Sequence, residues 1–203
     1  VIKAFVEAAR RGVTCRVFID ALVSRQWARR VLEALTAGGV TTHLVLPLGL
    51  IRRRTARADL RNHRKIFVID SRIGYAGSQN IVDANTTNEE LVARITGPVV
   101  LELQAVFAAD WFLETEEVLD IAGLFPHHHP GAGVVAQVLP SGPDYPTAGV
   151  SHLMVGLIHG ARERVVITTP YFIPDEALLR ALQAAVLRGV EVHLVVSRQV
   201  DQI

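Results

Sequence analysis

Apolar and polar positions change period repeatedly along the chain, between about 3.6 and 2. Residues 1–11, V-I-K-A-F-V-E-A-A-R-R, have helical spacing, and Gly12 stands where a helix C-cap needs a left-handed residue. Val13 to Asp20 follows as a strand ending in an acid. Gln26 to Ala37 returns to helical spacing through Trp27, Val31, Leu32 and Leu35, closed by Gly38-Gly39. Val40 to Leu46 is the next strand, ending at Pro47. This β-α-β alternation predicts a largely parallel α/β sheet. Two strands come next, His63 to Asp70 and 73 to 77, joined by a tight turn at Ser71-Arg72. After a polar loop, Leu91 to Ile95 reads as a strand. Pro98, placed at N1, opens a helix to about Glu116 with an apolar face of Val99, Leu103, Val106, Phe107 and Leu113. Residues 123–148 are rich in Gly, Pro and His and predict a linker with one short strand, Val134 to Leu139. Then come a helix from Val150 to Ala161, a strand from Arg164 to Thr169, a helix from Asp175 to Arg188 and a strand from Val190 to Val196.

The pattern contains a repeat. Ala8 to Val17, A-A-R-R-G-V-T-C-R-V, reads like Ala185 to Leu194, A-V-L-R-G-V-E-V-H-L. Gly12 and Gly189 align at an offset of 177 (189 − 12), and each unit is followed by an acid, Asp20 and, four residues out of register, Asp201. The organisation expected is a first repeat over 1–122, a linker over 123–148 and the start of a second repeat over 149–203. The chain opens inside a helical pattern without an initiating Met, as an excised piece of something longer would.

Composition narrows the class. Of 203 residues, 50% are hydrophobic and 20% charged, the balance of a globular chain with a real core. A net charge of +1 gives no support to a strongly basic nucleic-acid binder. The lone Cys15 reads as a core thiol. No apolar run reaches the ~18 residues of a membrane span.

The chemistry gathers between Asn62 and Asn80, N-H-R-K-I-F-V-I-D-S-R-I-G-Y-A-G-S-Q-N. His63, Lys65 and Asp70 stand as H-x-K-x4-D, followed by Gly77, Ser78 and Asn80 as G-S-x-N. On a strand, His63 and Lys65 share a face about 7 Å apart. That sets a nucleophile or base beside a fixed cation, and a phosphate between them would feel both. The G-S-Q-N turn offers a hydroxyl, an amide and backbone N–H groups as anion donors. By alternation Asp70 faces away from both and is expected to fix the turn or a basic neighbour. Arg52, Arg53, Arg54, Arg57, Arg61 and Arg64 form either a solvated face or an anion-gathering patch. His127 to His129 lie between prolines, where adjacent side chains diverge, so they read as a solvated loop rather than an ion site. His152 and His159 fall on a helical pattern outside any H-x-K frame.

The combined spacing resembles the phospholipase D superfamily. R-G-V-x-x-R-V-x-x-D at 11–20, L-R-N-H-R-K at 60–65, I-T-G-P-V-V at 95–100, V-L-P-S-G-P-D at 138–144 and I-T-T-P-Y-F-I-P-D-E-A-L at 167–178 are similar to its bacterial cardiolipin synthase branch. The branch's G-G-x-N is G-S-x-N here. The resemblance implies a mixed, largely parallel β-sheet flanked by helices on both faces, an α-β-α sandwich. It implies His63 as nucleophile, Lys65 as phosphoryl clamp and Asp70 as the third motif member. Ser78, Asn80 and Arg61 would bind phosphate, and Glu90, or alternatively Glu89, would orient the imidazole. Tyr171 and Phe172, after a strand end, either line the cleft or pack.

No metal and no cofactor are implied. The implied substrate is a phospholipid, phosphatidylglycerol foremost, at the cytoplasmic face of a bacterial membrane. Nucleic acid is disfavoured and a homodimer left open. A second H-x-K, carrying the proton donor, is expected at about position 240 from the offset of 177 (189 − 12). Two other readings stand beside this one: a homodimeric phosphodiesterase or nuclease with one motif per chain, and a remnant that binds without turning over.

Overall fold

The computed structural model describes residues 1–20, 25–45, 64–79, 90–128, 131–142, 145 and 149–197. They fall into two compact units, Val1–Val138 and Leu139–Ile203.

The first unit opens with α1 (Ile2–Arg10), β1 (Arg16–Asp20), α2 (Arg25–Ala37) and β2 (Thr41–Val45). β1 and β2 pair in parallel, Phe18 opposite His43 and Ile19 opposite Leu44. Alternation divides their side chains. Val17, Ile19 and Leu44 pack into a core with Ile2, Phe5 and Ala9 of α1 and Ala28, Val31 and Leu35 of α2. Cys15 is half-buried against the same core, as expected. Phe18 turns the other way, against Phe107 and Trp111 of α3 (Val99–Thr115). His43 meets Trp111 edge-on at 5.2 Å. The β1–β2 pair therefore has helices on both faces, as the α-β-α expectation requires.

The antiparallel part follows. β3 (Ile66–Ile69), β4 (Ile73–Gly77) and β5 (Val92–Thr96) form one ladder in that order. β3 and β4 are a hairpin whose turn residues Asp70 and Ser71 both have φ of 52°, with Arg72 N–H donating to the Ile69 carbonyl at 3.0 Å. The register pairs Ile69 with Ile73, so the loop is Asp70 to Arg72, and its two successive left-handed residues give a twist that matches that of paired strands. The loop contains the expected Ser71-Arg72 and includes Asp70 as well.

Helix α3 joins these two parts. The sequence suggested one apolar face, but the helix buries Val100, Leu103, Gln104, Val106, Asp110 and Trp111, while Leu113 is exposed. A helix apolar around most of its circumference belongs between layers. α3 contacts β1–β2 through Phe107 and Trp111, and the hairpin through Leu103 and Val100, which lie over Gly74. A Cβ at Gly74 would stand 2.7 Å from Leu103 Cδ1. Pro98 is the N-cap rather than N1, and Glu116 closes the helix at φ 60°.

Two further expectations change. A short helix α4 (Ile121–Leu124), capped by Asp120, stands where the linker was drawn to begin. Val134 to Leu139 is not a strand, and its only described anchor is Val138 N–H donating to Glu102 at 2.7 Å.

The second unit holds α5 (Gly149–Gly160), β6 (Arg164–Thr169), α6 (Glu176–Leu187) and β7 (Glu191–Val196). β6 and β7 pair in parallel. Their inner residues Val165, Ile167 and Val192 pack with Ile158, Ala181, Leu182 and Ala185. Asp175 caps α6 by accepting from Leu178 N–H at 2.8 Å and also accepts from Ser151 Oγ at 3.1 Å. Those bonds, the Leu178 one first, hold its carboxyl below the usual carboxylate range. Among the described residues, no helix is long and apolar enough to cross a membrane.

Candidate active site

The hairpin register gathers the described motif residues at one end of the three-stranded ladder. Ile66 pairs with Ala76, so Lys65 and Gly77 are the next residues outward on adjacent strands. Gly77 pairs in turn with Val92, which brings Ser78 to Leu91 and sets Glu90 one residue beyond. Lys65 is half-buried; Ser78 and Glu90 are exposed.

The G-S dipeptide is built for close approach. A Cβ at Gly77 would lie 2.2 Å from the Leu91 carbonyl oxygen and 2.7 Å from Val92 Cα, both backbone atoms. Only glycine permits that spacing. Ser78 N–H donates to the Leu91 carbonyl at 3.0 Å, and Leu91 N–H donates to Ser78 Oγ at 3.0 Å. The expected backbone anion donor at Ser78 is thus committed to the ladder. Its hydroxyl proton can still swing between the Leu91 carbonyl, 3.4 Å away, and a ligand.

Asp70 is not brought to this end. It lies at the far end of β3, exposed, in the left-handed turn. It lies five residue steps from Lys65, about 16 Å along the strand. The turn itself is held from outside. Ser71 is buried and donates its hydroxyl to the Leu124 carbonyl at 2.6 Å, while His128 Nε2 lies 2.7 Å from the Ser71 carbonyl oxygen. His128 is therefore no solvated loop residue, although His127 is exposed. No group of three metal-binding side chains occurs among the described residues.

A residue that pattern reading missed is Asp110. Arg64, between the two motif positions, directs Nη1 to Asp110 Oδ1 and Oδ2 at 2.9 Å each. Side-chain exposures of 18% and 11% make this a largely shielded pair. A signal existed: Asp110 lies on the Leu103–Val106 stripe, and an acid there requires a cation. This removes Arg64 from the solvated arginine face.

In the second unit, Phe172 packs against the Leu182 core, whereas Tyr171 is exposed with its N–H donated to Thr169 Oγ1. Phe172 thus packs rather than lining a cleft. His63, Arg61, Asn80, Glu89, His129 and Asp201 lie outside the described residues.

The ladder, the flanking helices and the H-x-K spacing define a phospholipase D-like α/β protein, and comparison with known proteins agrees. The family model described as cardiolipin synthase, PLD-like domain, matches residues 1–111 and 154–203. Cardiolipin synthase A of Pectobacterium atrosepticum is 36% identical over 217 residues, covering 100% of this chain and 44% of that protein. Cardiolipin synthase A of Yersinia pseudotuberculosis serotype O:1b is 35% identical over 214 residues, covering 99% and 44%. The chain therefore spans less than half the length of these relatives. The crystal structure of polyphosphate kinase from Porphyromonas gingivalis superposes with a TM-score of 0.58 at 16% identity, covering 97% of this chain and 30% of that one, a likeness of fold. The chain belongs to the PLD-like cardiolipin synthase family of the phospholipase D superfamily.

Proposed function

We propose that the chain carries the nucleophile half of a phosphatidyltransferase active site, acting on phosphatidylglycerol. The observation that carries this is the convergence of Lys65, Gly77-Ser78 and Glu90 on one ladder end, directly beside the H-x-K position. Neutral imidazole is a competent nucleophile near pH 7. In this reading His63 attacks phosphorus. A P–N bond forms as the P–O bond to the departing glycerol breaks, giving a phosphatidyl-histidine. Lys65 offsets charge on the non-bridging oxygens, and Ser78, Asn80 and Arg61 donate to them. Glu90 orients the imidazole.

The departing alkoxide takes a proton from a general acid, the counterpart histidine of a second H-x-K motif. The same group, now a base, deprotonates a second phosphatidylglycerol, whose hydroxyl oxygen displaces His63 and yields cardiolipin. Asp70 serves the hairpin turn. The two-repeat division over 1–122 and 149–203 belongs to this reading, supported by the shared Arg-Gly-Val at 11–13 and 188–190. So does association with a bacterial membrane surface, where the lipid resides, while the modest net charge of +1 argues against nucleic acid.

The test incubates the full-length protein, second H-x-K motif included, with phosphatidylglycerol vesicles and follows cardiolipin and glycerol. Lipid transfer that disappears in His63→Ala is the expected result. Phosphatidic acid without cardiolipin would point to hydrolysis instead, and turnover retained in His63→Ala would refute the nucleophile assignment.

A further inference from the structure

Arg64 occupies the x of H-x-K, yet it makes a shielded ion pair across to α3. Its guanidinium meets both carboxylate oxygens of Asp110, on the third turn of α3. α3 is itself fixed, with Trp111, the next residue, fully buried against Phe18 and Phe107. Asp110 thus stands on a helix packed into the core, and Arg64 is tied to it.

We propose that Asp110 is a positioning residue for the transfer reaction. In extended backbone, side chains on either side of a residue project opposite to it. Locking Arg64 against α3 commits the next described position, Lys65, to the face turned away from the helix. The ion pair sets the aim of the phosphate clamp Lys65 without touching substrate. Half-burial of Lys65 is consistent with a confined, directed stem. Both contacts run from the single Nη1, so they fix the distance of the guanidinium from Asp110 by a charge-assisted bond, which an apolar contact would not supply. This inference rests on the reading of His63 as nucleophile.

The test measures steady-state kinetics on phosphatidylglycerol for Asp110→Ala, Arg64→Ala, the double variant and Asp110→Glu, each checked for folding by circular dichroism. A misplacement near 1 Å predicts a fall in kcat on the order of 100-fold with KM changed little. The double variant should lose no more than the worse single one, because both remove the same constraint. Asp110→Glu should recover part of kcat. Should Asp110→Ala not fold, Asp110→Asn, nearly isosteric, takes its place in the cycle.

Full kcat in folded Asp110→Ala or Asp110→Asn overturns the proposal, as do additive losses across the cycle. A loss that merely tracks the folded fraction overturns it too, since that is a structural role alone. His63→Ala run in parallel separates the two readings. A dead His63→Ala beside fully active Asp110 variants sinks the positioning role only, whereas an active His63→Ala sinks the nucleophile reading and the inference with it.

Discussion

The β3–β4–β5 ladder and the β6–β7 pair are held by different means. The β6–β7 pair relies on one apolar face, Val165, Ile167 and Val192 against α5 and α6, while Val166 and Val195 on the strands remain more than half exposed. Its polar contacts are exposed, such as Arg164 with Glu191 at 2.8 Å, and surface pairs of this kind contribute little. The three-stranded ladder is instead fixed by discrete contacts at its two ends: Arg64 to Asp110, shielded, and Gly77 against Leu91, exposed, at the motif end, and Ser71 and His128 at the turn. Apolar burial tolerates small slips, whereas such contacts do not. Geometry specified beyond what burial demands is found where the candidate chemistry is.

That contrast can be broken in three further ways. The largest effect is expected from Gly77→Ala. Its Cβ would meet backbone at 2.2 Å, so β4 and β5 must separate, with a loss of about 3 kcal/mol on chemical denaturation. Wild-type stability would show the close approach to be dispensable. Ser71→Ala should be smaller, about 1 kcal/mol, because the partly buried Leu124 carbonyl loses its donor. An unchanged denaturation midpoint would mean that the turn needs no outside anchor.

The smallest effect lies in the second unit and depends on pH. The carboxyl of Asp175 titrates lower in the folded chain than its ordinary value, chiefly through the Leu178 N–H. Its contribution is therefore complete above the ordinary carboxylate range and fades as pH falls through the lower folded value. Asp175→Asn should melt below wild type at pH 7, and the gap should close in strong acid. A gap constant with pH would assign the difference to packing.

Much of this was legible in the chain because it follows periodicity. Gly12, Gly39 and Gly189 close helices at φ of 87°, 85° and 82°, with the following Val13, Val40 and Val190 bonding back to Ala8, Leu35 and Ala185. These are Schellman caps, and Gly marks them. The same cap at Gly39 also shows that a helix–Gly–strand unit alone does not define a repeat; the shared Arg-Gly-Val is what singles out Gly12 and Gly189. Less legible was whatever depends on a third dimension. α3 packs on two sides, which a one-stripe reading cannot convey, so Val100 and Trp111 were missed as core. Asp110 could be flagged as an acid on an apolar stripe, but its cation lies 46 positions away in sequence. His128 looked like loop composition and proves to be a turn contact, for which the sequence holds no local signal.

The absent side chain at Gly77 also acts as a register key. Sliding β4 by one residue along β5 would bring the Cβ of Ala76 or Ser78 against the Leu91 carbonyl, and neither fits the 2.2 Å gap. Strands paired mainly by apolar contact can exchange one register for another. The close approach at Gly77 favours the alignment seen, and with it the placement of Ser78 relative to Glu90.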